Sequence, residues 1–418
     1  MNKLQTNWTD HWGFARDFGL DGEERIATER YTSPEIYQQE KDKLFRKTWL
    51  AVARVSEIPE PGDYIKRKIL TLDAEVVIVR DKKDGVIRAF YNACPHRGVA
   101  LVRECGGQTG VFVCPYHGWS FKTDGKLLGI PGSENFPQID RKQTGLAPVH
   151  CDIWNGYIFL NFDEEPRQTL AEYLGELGEL YAELPFADYR HAVDIIQDAP
   201  TNWKNFLDAF NEGYHVAVLH AKSLPALATK ENPLNHMYDQ AFMAPHSHAT
   251  IQSNPDYRPA GKVEQLVFRA IGEGALNRSG GGDGSPPARP FGTARGVNRI
   301  GLPSTSSELI NVFPLSQFHP TALGYMWFQF WPLSHERVRF ATRVYFASKP
   351  RSYRDKFVEV FMCTKHRDVV SEDVAMTHVQ QIGMKSGGLK HINIGEMEPL
   401  VRFTHGQIQE YLNRQDPC

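Results

Sequence analysis

The sequence lacks the features of several common protein classes. No run approaches eighteen apolar residues, and residues 1–16 are polar with aromatic interruptions, without the basic-then-apolar order of a secretory signal. These absences argue against a membrane-spanning helix and against export, so we expect a cytoplasmic protein. With a net charge of −3 and no block of lysine or arginine, the chain also lacks the usual means of binding nucleic acid or an anionic membrane.

Nucleotide-binding fingerprints and paired cysteines are missing as well. No Gly-x-Gly-x-x-Gly follows a predicted strand, so we expect any oxidation of NADH to take place on another chain. Only six cysteines occur in 418 residues, and Cys105 is expected to be a partly buried apolar residue. It is one of four cysteines that have no paired spacing and are expected to be reduced thiols: Cys105, Cys151, Cys363 and Cys418.

Two short segments rich in cysteine and histidine stand out against this background. Cys94-Pro95-His96 and Cys114-Pro115-Tyr116-His117 each follow a β-rich run, and together they offer two thiolates and two imidazoles. A Rieske [2Fe–2S] centre takes two thiolates on one iron and two imidazoles on the other. Tetrahedral Zn²⁺ also accepts two cysteines and two histidines, although zinc ribbons use Cys-x-x-Cys spacing. The spacing therefore favours the iron–sulfur centre, with zinc as the alternative.

The residues that surround both pairs of candidate ligands form specific motifs. Cys94-Pro-His-Arg-Gly98 and Cys114-Pro-Tyr-His-Gly-Trp119 resemble the Rieske segment of the Rieske non-haem iron oxygenases. These proteins are the terminal components of multicomponent ring-hydroxylating and demethylating systems. The resemblance implies a [2Fe–2S] cluster with four ligands, namely Cys94, His96, Cys114 and His117.

A second pair of histidines lies within residues 202–220, which begin Asn-Trp-Lys and contain His215 and His220. A lone pair could equally be polar residues at a helix end, since the chain has sixteen histidines. The segment, however, resembles the mononuclear iron segment of the same family. That resemblance implies His215 and His220 as ligands of a catalytic Fe(II), with Asp373 completing a two-His-one-carboxylate face that leaves positions open for O2. The neighbouring Glu372 is the alternative carboxylate.

Glu212 departs from the commonest form of this family. Most ring-hydroxylating members carry Asp three residues before the first ligand histidine, where it links the Rieske histidine of a neighbouring subunit to the mononuclear iron. The form Asn211-Glu212-x-x-His215 resembles the branch acting on quaternary ammonium compounds such as carnitine and betaines, although Gly213 stands where those usually have Cys. We expect Glu212 to keep the linking role, and we include it among the catalytic residues.

Periodicity places these segments in two domains. Residues 1–48 are expected to contain a helix starting at Ser33 and to pack on the catalytic domain, and residues 49–163 to form an antiparallel β Rieske domain. Residues 164–418 are then the catalytic domain, with a helical region from Ser352 to about Met384 carrying the ligand carboxylate. The family resemblance implies an α+β chain with a helix-grip (START-like) catalytic domain built on a curved antiparallel sheet.

The stretch 232–304 has the least regular pattern. It is rich in proline and glycine, so the loop 279–301 is expected to be either a disordered insertion or a lid over a substrate channel. We expect His246 and His248, which precede this loop, to be surface residues.

The resemblance implies a terminal mono- or dioxygenase that takes electrons from a separate reductase or ferredoxin and uses O2 on a small organic substrate. Alternating aromatic residues, Tyr325 and Trp327 with Phe313, could line an apolar pocket for an aromatic or other carbocyclic compound, although core packing would explain most of them. The Glu212 variant instead favours a trimethylammonium substrate.

Two further expectations concern the oligomeric state and an alternative function. Members of the family pass electrons between subunits in a head-to-tail ring, which implies a homotrimer (α3), with α3β3 as the alternative. A Rieske protein that only carries electrons is the rival, but such a carrier would not need His215, His220 or Asp373.

Overall fold

A computed structural model describes residues 12–20, 22–271, 294–302, 305–321 and 323–414. The chain forms two compact units, each with its own sheet. The smaller unit is the contiguous stretch Phe45–Tyr173, and the larger unit combines the residues up to Leu44 with those from Leu174 onward. Both main sheets are antiparallel and helices occur mainly in the larger unit, so the expected α+β class is confirmed.

The N-terminal part of the larger unit is a short strand followed by helices. Its elements are β1 (Arg25–Ala27), α1 (Glu29–Thr32) and α2 (Pro34–Gln39). Ser33 caps α2 as predicted, because its Oγ accepts the backbone N–H groups of Glu35 and Ile36 at 3.1 Å each. The chain then winds as a π-helix over Glu40–Phe45, so the predicted helix continues with a changed pitch.

The smaller unit is almost entirely β-structure. Its strands are β2 (Leu50–Arg54), β3 (Asp63–Ile69), β4 (Ala74–Arg80), β5 (Ile87–Tyr91), β6 (Gly106–Gln108), β7 (Val111–Val113), β8 (Ser120–Lys122), β9 (Leu127–Gly129), β10 (Pro148–Trp154) and β11 (Tyr157–Asn161). Seven of them form a sheet in the order β2-β11-β10-β5-β4-β3-β6, and β7-β8-β9 form a second, three-stranded sheet. The two cysteine-histidine segments are the loops that follow β5 and β7, one from each sheet.

The larger unit holds a second seven-stranded sheet. Its remaining elements are α3 (Leu170–Leu180), β12 (Arg190–Ala199), α4 (Trp203–Phe210), β13 (Tyr238–Met243), β14 (His246–Gln252), α5 (Lys262–Ile271), β15 (Thr305–Val312), β16 (Ser316–Pro320), β17 (Gly324–Ser334), β18 (Arg337–Phe346), α6 (Tyr353–Lys385), β19 (His391–Asn393) and α7 (Pro399–Asn413). The sheet order is β12-β18-β17-β16-β15-β14-β13, and β19 pairs with β1. Helix α6 packs against α4, α5 and β12, which is the expected helix-grip arrangement.

A buried glutamine on α6 ties three helices of the larger unit together. The Gln381 amide nitrogen donates to the backbone carbonyl of Tyr31, at 3.1 Å. Its oxygen accepts the backbone N–H of Asn202 and the side-chain amide of Asn205, both at 2.9 Å. Every polar atom of the Gln381 side chain is therefore used to hold α1 and the start of α4 on α6.

Two sequence-based expectations need correction, and a third falls largely outside the described residues. His246 and His248 are fully buried, because the stretch expected to be irregular contributes β13 and β14 to the main sheet. Cys105 is exposed, since it comes just before the edge strand β6. Of the loop 279–301, expected to be either a disordered insertion or a lid, residues up to 293 lie outside the described part of the chain.

Candidate metal centres and cavity

The two cysteine-histidine loops share one backbone design. In each loop, the glycine four residues after the cysteine donates its N–H to the cysteine carbonyl, over 2.8 Å at Gly98 and 3.0 Å at Gly118. Both glycines have left-handed backbone angles, with φ of 74° and 72°. Residues with a side chain adopt this conformation at a cost, so glycine suits both turns. The turns bring Cys94 and Cys114 together within the same buried cluster.

The four predicted cluster ligands converge at the ends of these loops. Cys94 and Cys114 are buried, with 2% and 3% of their surface exposed, and the two thiol groups are within hydrogen-bonding distance. The imidazole rings of His96 and His117 lie 4.5 Å apart between centroids, at 66°. The Nδ1 atom of His96 is buried and has no hydrogen-bond partner among the described residues. Two adjacent thiols and an unpartnered buried nitrogen suit a mixed cysteine-histidine cluster.

Aromatic rings pack against the imidazole of His96. Trp119 stacks on His96 with 4.9 Å between ring centroids and 4° between planes, and Phe136 meets the same ring edge-on at 5.5 Å. Burial raises the pKa of the Cys94 thiol, whereas the backbone N–H groups of His96 and Arg97 lower it. His117, in contrast, is exposed. His96 is thus held from the inside, and His117 faces solvent.

The second centre forms where helix α4 stops. α4 ends at Phe210 and a 3₁₀ turn follows over Tyr214–Ala217, so the chain reverses and brings His215 and His220 close together, with 5.1 Å between their ring centroids. Asp373 reaches them from α6. Its Oδ1 lies 2.9 Å from Nε2 of His220 and 3.8 Å from Nε2 of His215.

These three side chains could hold a metal ion. One ligand atom from each of His215, His220 and Asp373 lies within 4.8 Å of the other two. His220 and Asp373 are almost completely buried, with 2% and 3% of their surface exposed. A buried carboxylate and two imidazole nitrogens that face one another match the facial arrangement used by non-haem iron.

Two further carboxylates set the orientation of the imidazoles. Glu212 accepts a hydrogen bond from Nδ1 of His215 and also accepts its backbone N–H at 3.1 Å. Glu372 accepts from Nδ1 of His220 and from the hydroxyl of Ser223, both at 2.6 Å. Because an ionised carboxylate only accepts, each Nδ1 donates, and the Nε2 lone pairs are left for a metal. Asp373 lies on the Nε2 side and Glu372 on the Nδ1 side, which favours Asp373 as the ligand.

A cavity of about 310 Å³ opens onto this second centre. Most of its wall is apolar, and its aromatic residues include Phe210, Phe268, Phe328, Tyr345, Phe346 and Phe361. Of the three aromatic residues expected from sequence, Tyr325 contributes to the wall. Trp327 instead stacks on Phe318 in the core, and Phe313 packs near Tyr411.

Two histidines and one ion pair in the cavity wall were not expected from sequence. His319 and His366 lie beside the ring of Phe328, with centroid distances of 4.3 and 5.3 Å. Burial lowers the pKa of His319 to about 3 and that of His366 to about 4, so both imidazoles are neutral at pH 7. Glu264 and Lys365 form an ion pair of 2.8 Å in the same wall. None of the four has a motif spacing, and only the fold brings them together.

Comparison with known families agrees with this arrangement. Residues 48–140 match the family described as Rieske [2Fe-2S] domain. Residues 186–414, more than half of the chain, match the family described as ring hydroxylating alpha subunit, catalytic domain.

The chain belongs to the ring-hydroxylating alpha-subunit family of Rieske oxygenases. The cofactors of this Rieske oxygenase are accordingly a Rieske [2Fe–2S] cluster and a mononuclear iron.

Relatives of this Rieske oxygenase act on different kinds of compound. The chain is 35% identical over 193 residues to the carnitine monooxygenase oxygenase subunit of Acinetobacter pittii, covering 46% of this chain and 51% of that protein. It is 34% identical over 233 residues to the large oxygenase component of the naphthalene 1,2-dioxygenase system of Pseudomonas aeruginosa, covering 54% and 48%. The matches thus span about half the length of these relatives.

Solved structures show the same fold over nearly the whole chain. A quaternary ammonium Rieske monooxygenase, whose structure is described as giving insights into inter-subunit electron transfer, has a TM-score of 0.70 at 21% identity, with 98% and 99% of the two chains covered. Naphthalene 1,2-dioxygenase from Rhodococcus sp. gives a TM-score of 0.70 at 19% identity, with 96% and 97% covered. Among the described helices of this Rieske oxygenase, none combines the length and apolar character needed to span a membrane.

Proposed function

We propose that this Rieske oxygenase is the terminal oxygenase of a multicomponent system that oxidises a small organic molecule with O2. The observation that carries the proposal is the convergence of His215, His220 and Asp373 on the wall of a cavity of about 310 Å³. A pure electron carrier has no use for such a cavity. When bound there, iron supplies open coordination positions at which O2 is activated.

The proposal assigns the metals by residue. Cys94, His96, Cys114 and His117 hold the [2Fe–2S] cluster, and the three converging side chains hold the Fe(II). Residues 49–163 then act as the Rieske domain, and residues 164–418, with 1–48, as the catalytic domain. The contiguous compact unit Phe45–Tyr173, which contains both cluster loops, supports this division.

The side chains around the second centre perform three tasks in this proposal. Glu212 and Glu372 hold the two imidazoles through Nδ1, so that both Nε2 atoms stay directed at the metal. The buried position of Asp373 keeps the ligand carboxylate away from bulk water. The apolar cavity wall binds the substrate and limits the access of water during the reaction.

Electrons come from a separate reductase or ferredoxin in this proposal, because the sequence has no flavin or nicotinamide fingerprint. The exposed imidazole of His117 supports a route through the protein surface. We further propose a cytoplasmic, head-to-tail homotrimer, possible also as α3β3, in which Glu212 accepts a hydrogen bond from the partner subunit's His117. The relative described in terms of inter-subunit electron transfer supports this assembly.

Two substrate classes remain in the proposal. An aromatic or other carbocyclic compound suits the apolar, aromatic wall, and naphthalene dioxygenase relatives support it. A quaternary ammonium compound is the second candidate. The Glu212 variant and the carnitine monooxygenase relatives favour it, and aromatic rings can also surround a trimethylammonium cation.

A single-turnover experiment tests the proposal. The protein is loaded with iron, fully reduced and freed of reductant, and naphthalene or L-carnitine is then added with O2. We expect about three irons per chain, a Rieske-type EPR signal on reduction, and an oxidised product formed as the cluster is reoxidised. About two irons per chain and no product from either compound would instead identify an electron carrier.

A further inference from the structure

One face of α6 runs along the cavity from the metal centre outward. Lys365, His366, Val369 and Asp373 all line the cavity, and the last three have the 3- and 4-residue spacing of a single helix face. A helix rises 1.5 Å per residue, so Lys365 and Asp373, eight positions apart, are separated by about 12 Å along the axis. The cavity therefore extends along α6 from the carboxylate of Asp373, at the metal position, to the ammonium group of Lys365 farther along the helix.

The ammonium group of Lys365 is held in the wall by a carboxylate whose two oxygens each accept a hydrogen bond. Nζ of Lys365 lies 2.8 Å from Oε1 of Glu264, on α5. The other oxygen of Glu264 accepts the hydroxyl of Tyr257 at 2.7 Å. A lysine has three N–H donors and Glu264 engages one of them. Both side chains are mostly buried, with 27% and 17% of their surface exposed.

The distribution of charge along the cavity is uneven. Among the described lining residues, Lys365 is the single lysine or arginine. The carboxylates at the other end, Glu212 and Asp373, face the histidines. An ion pair that only joined α5 to α6 would be equally effective on the outer surface, where water solvates both charges at little cost. A hydrocarbon substrate gives no reason to keep an ammonium group in an apolar wall.

We propose that Lys365 is a specificity residue that recognises an anionic group, carboxylate or sulfonate, at the end of the substrate remote from the iron. The substrate is then an amphiphile, with an apolar or trimethylammonium part at the metal and a negative charge near α5. This inference rests on the proposed function, because it assumes that the oxidised carbon lies beside His215, His220 and Asp373. Glu264 acts as a positioning residue, which holds the ammonium in the wall and competes with the substrate anion for it.

Matched ligands of nearly the same shape, one anionic and one neutral, test the proposal. The first pair is 3-phenylpropanoate and 3-phenylpropanamide, and the second is L-carnitine and its amide. Binding is measured by anaerobic calorimetry on the iron-loaded full-length protein. We expect at least one carboxylate to bind ten- to a hundredfold more tightly than its amide, the range typical of a charge-assisted hydrogen bond.

Three variants locate the charge preference. Lys365→Gln is expected to bring the affinities for carboxylate and amide to within about twofold, and Lys365→Arg to keep the wild-type preference. Glu264→Gln removes the competing carboxylate and is expected to strengthen carboxylate binding severalfold. The proposal is overturned if neither carboxylate binds more tightly than its amide, or if the preference survives in Lys365→Gln.

Failure of this inference and failure of the proposed function give different results. Lys365 contacts none of the three candidate ligands of the second centre, so Lys365→Gln is expected to keep the iron content and the EPR signal of the wild type. If the charge preference depends on Lys365 but no turnover occurs, the role of Lys365 in binding is supported and the oxygenase function is rejected. If a product forms in the single-turnover experiment but no charge preference is found, the role of Lys365 is rejected and the oxygenase function is supported.

Discussion

Each histidine of the second centre is fixed by a carboxylate on the side facing away from the metal position. Sequence comparison indicated one of these carboxylates, Glu212, because it belongs to the same local motif as His215. It could not assign the role of Glu372, whose Oε2 lies 2.6 Å from Nδ1 of His220 although the two residues are 152 positions apart. The sequence favoured the adjacent Asp373 as the candidate ligand, and the structure adds that the two neighbouring acids contact opposite nitrogens of the His220 ring.

This difference predicts distinct effects for the two acids. We expect Asp373→Ala to lose the mononuclear iron, about one of three irons per chain, while the Rieske spectrum stays intact. Glu372→Gln keeps a hydrogen-bonding oxygen near His220 and should weaken iron affinity by about 10- to 100-fold without abolishing binding. Iron titration followed by EPR measures both. Retention of the mononuclear iron in Asp373→Ala, with loss in Glu372→Gln, would reverse the two assignments.

The two neutral imidazoles of the cavity predict how stability depends on pH. The folded-state pKa values of His319 and His366 are about 3 and about 4, below the value near 6.5 in the unfolded chain. As the pH falls below about 6.5, only the unfolded state takes up these protons, so stability falls. Between pH 7 and 5 the loss amounts to about 2 kcal/mol per histidine.

Replacing one of these histidines should flatten the dependence. We expect His319→Gln to lose about 2 kcal/mol less than wild type when urea unfolding is compared at pH 7 and pH 5. His391→Gln, at an exposed histidine on β19, is the matched control and should follow the wild type. An unchanged pH dependence in His319→Gln would mean that this imidazole takes up its proton as readily in the folded protein as in the unfolded chain.

At the scale of elements, local sequence signals predicted where helices start, but they did not predict how the strands pair in the sheet. The Ser33 cap and the start of α6 after Ser352 were predictable because capping depends on a few adjacent residues. The burial of His246 and His248 was not, because it depends on β14 pairing with both β13 and β15. The convergence of His215 and His220 was not predictable from local signals either, because it depends on α4 ending at Phe210, before both histidines.

The two cluster loops predict the effects of substituting their glycines. We expect Gly98→Ala, where a Cβ would meet nothing within 4 Å, to destabilise the smaller unit by about 1–2 kcal/mol through backbone strain alone. Gly118→Ala should cost somewhat more, because its Cβ would also lie 3.2 Å from the Pro131 ring. Thermal loss of the visible circular dichroism of the cluster measures both.

Gly110 provides the control for these loops. It lies between them in the sequence, has no left-handed φ, and a Cβ there would meet nothing within 4 Å. Gly110→Ala should therefore leave the midpoint unchanged. Equal midpoints for Gly98→Ala and Gly110→Ala would show that the left-handed turn does not strain the loop.

At the scale of the whole molecule, the family motifs predicted the two metal centres but not the lining of the cavity. Both cluster segments and the histidine pair are short and local. The cavity wall is assembled from α4, α5, α6 and several strands of the larger sheet, so its polar residues, such as His319 and Lys365, have no common pattern in the sequence. Which of them meet is decided by the packing of helices on the sheet.

The proposed assembly can be tested through Glu212. If this carboxylate joins His215 to the partner subunit's His117, Glu212→Gln should keep all three irons and a trimeric mass by light scattering. Its cluster should nevertheless be reoxidised at least tenfold more slowly in a single turnover, because the charge that orders the two imidazoles is lost. Reoxidation at the wild-type rate, or a monomer that turns over, would show that electrons take another route.

The division of the chain into a contiguous and a discontinuous unit has a consequence for biosynthesis. Both cluster loops lie within Phe45–Tyr173, so this unit can fold as soon as that stretch has left the ribosome. The larger unit cannot fold so early. Its first strand, β1, pairs with β19, and His220 contacts Asp373 on α6, so both partners must first be synthesised. Maturation of the protein should therefore follow a fixed order, with the cluster site completed early in translation and the mononuclear iron inserted only after nearly the whole chain has been made.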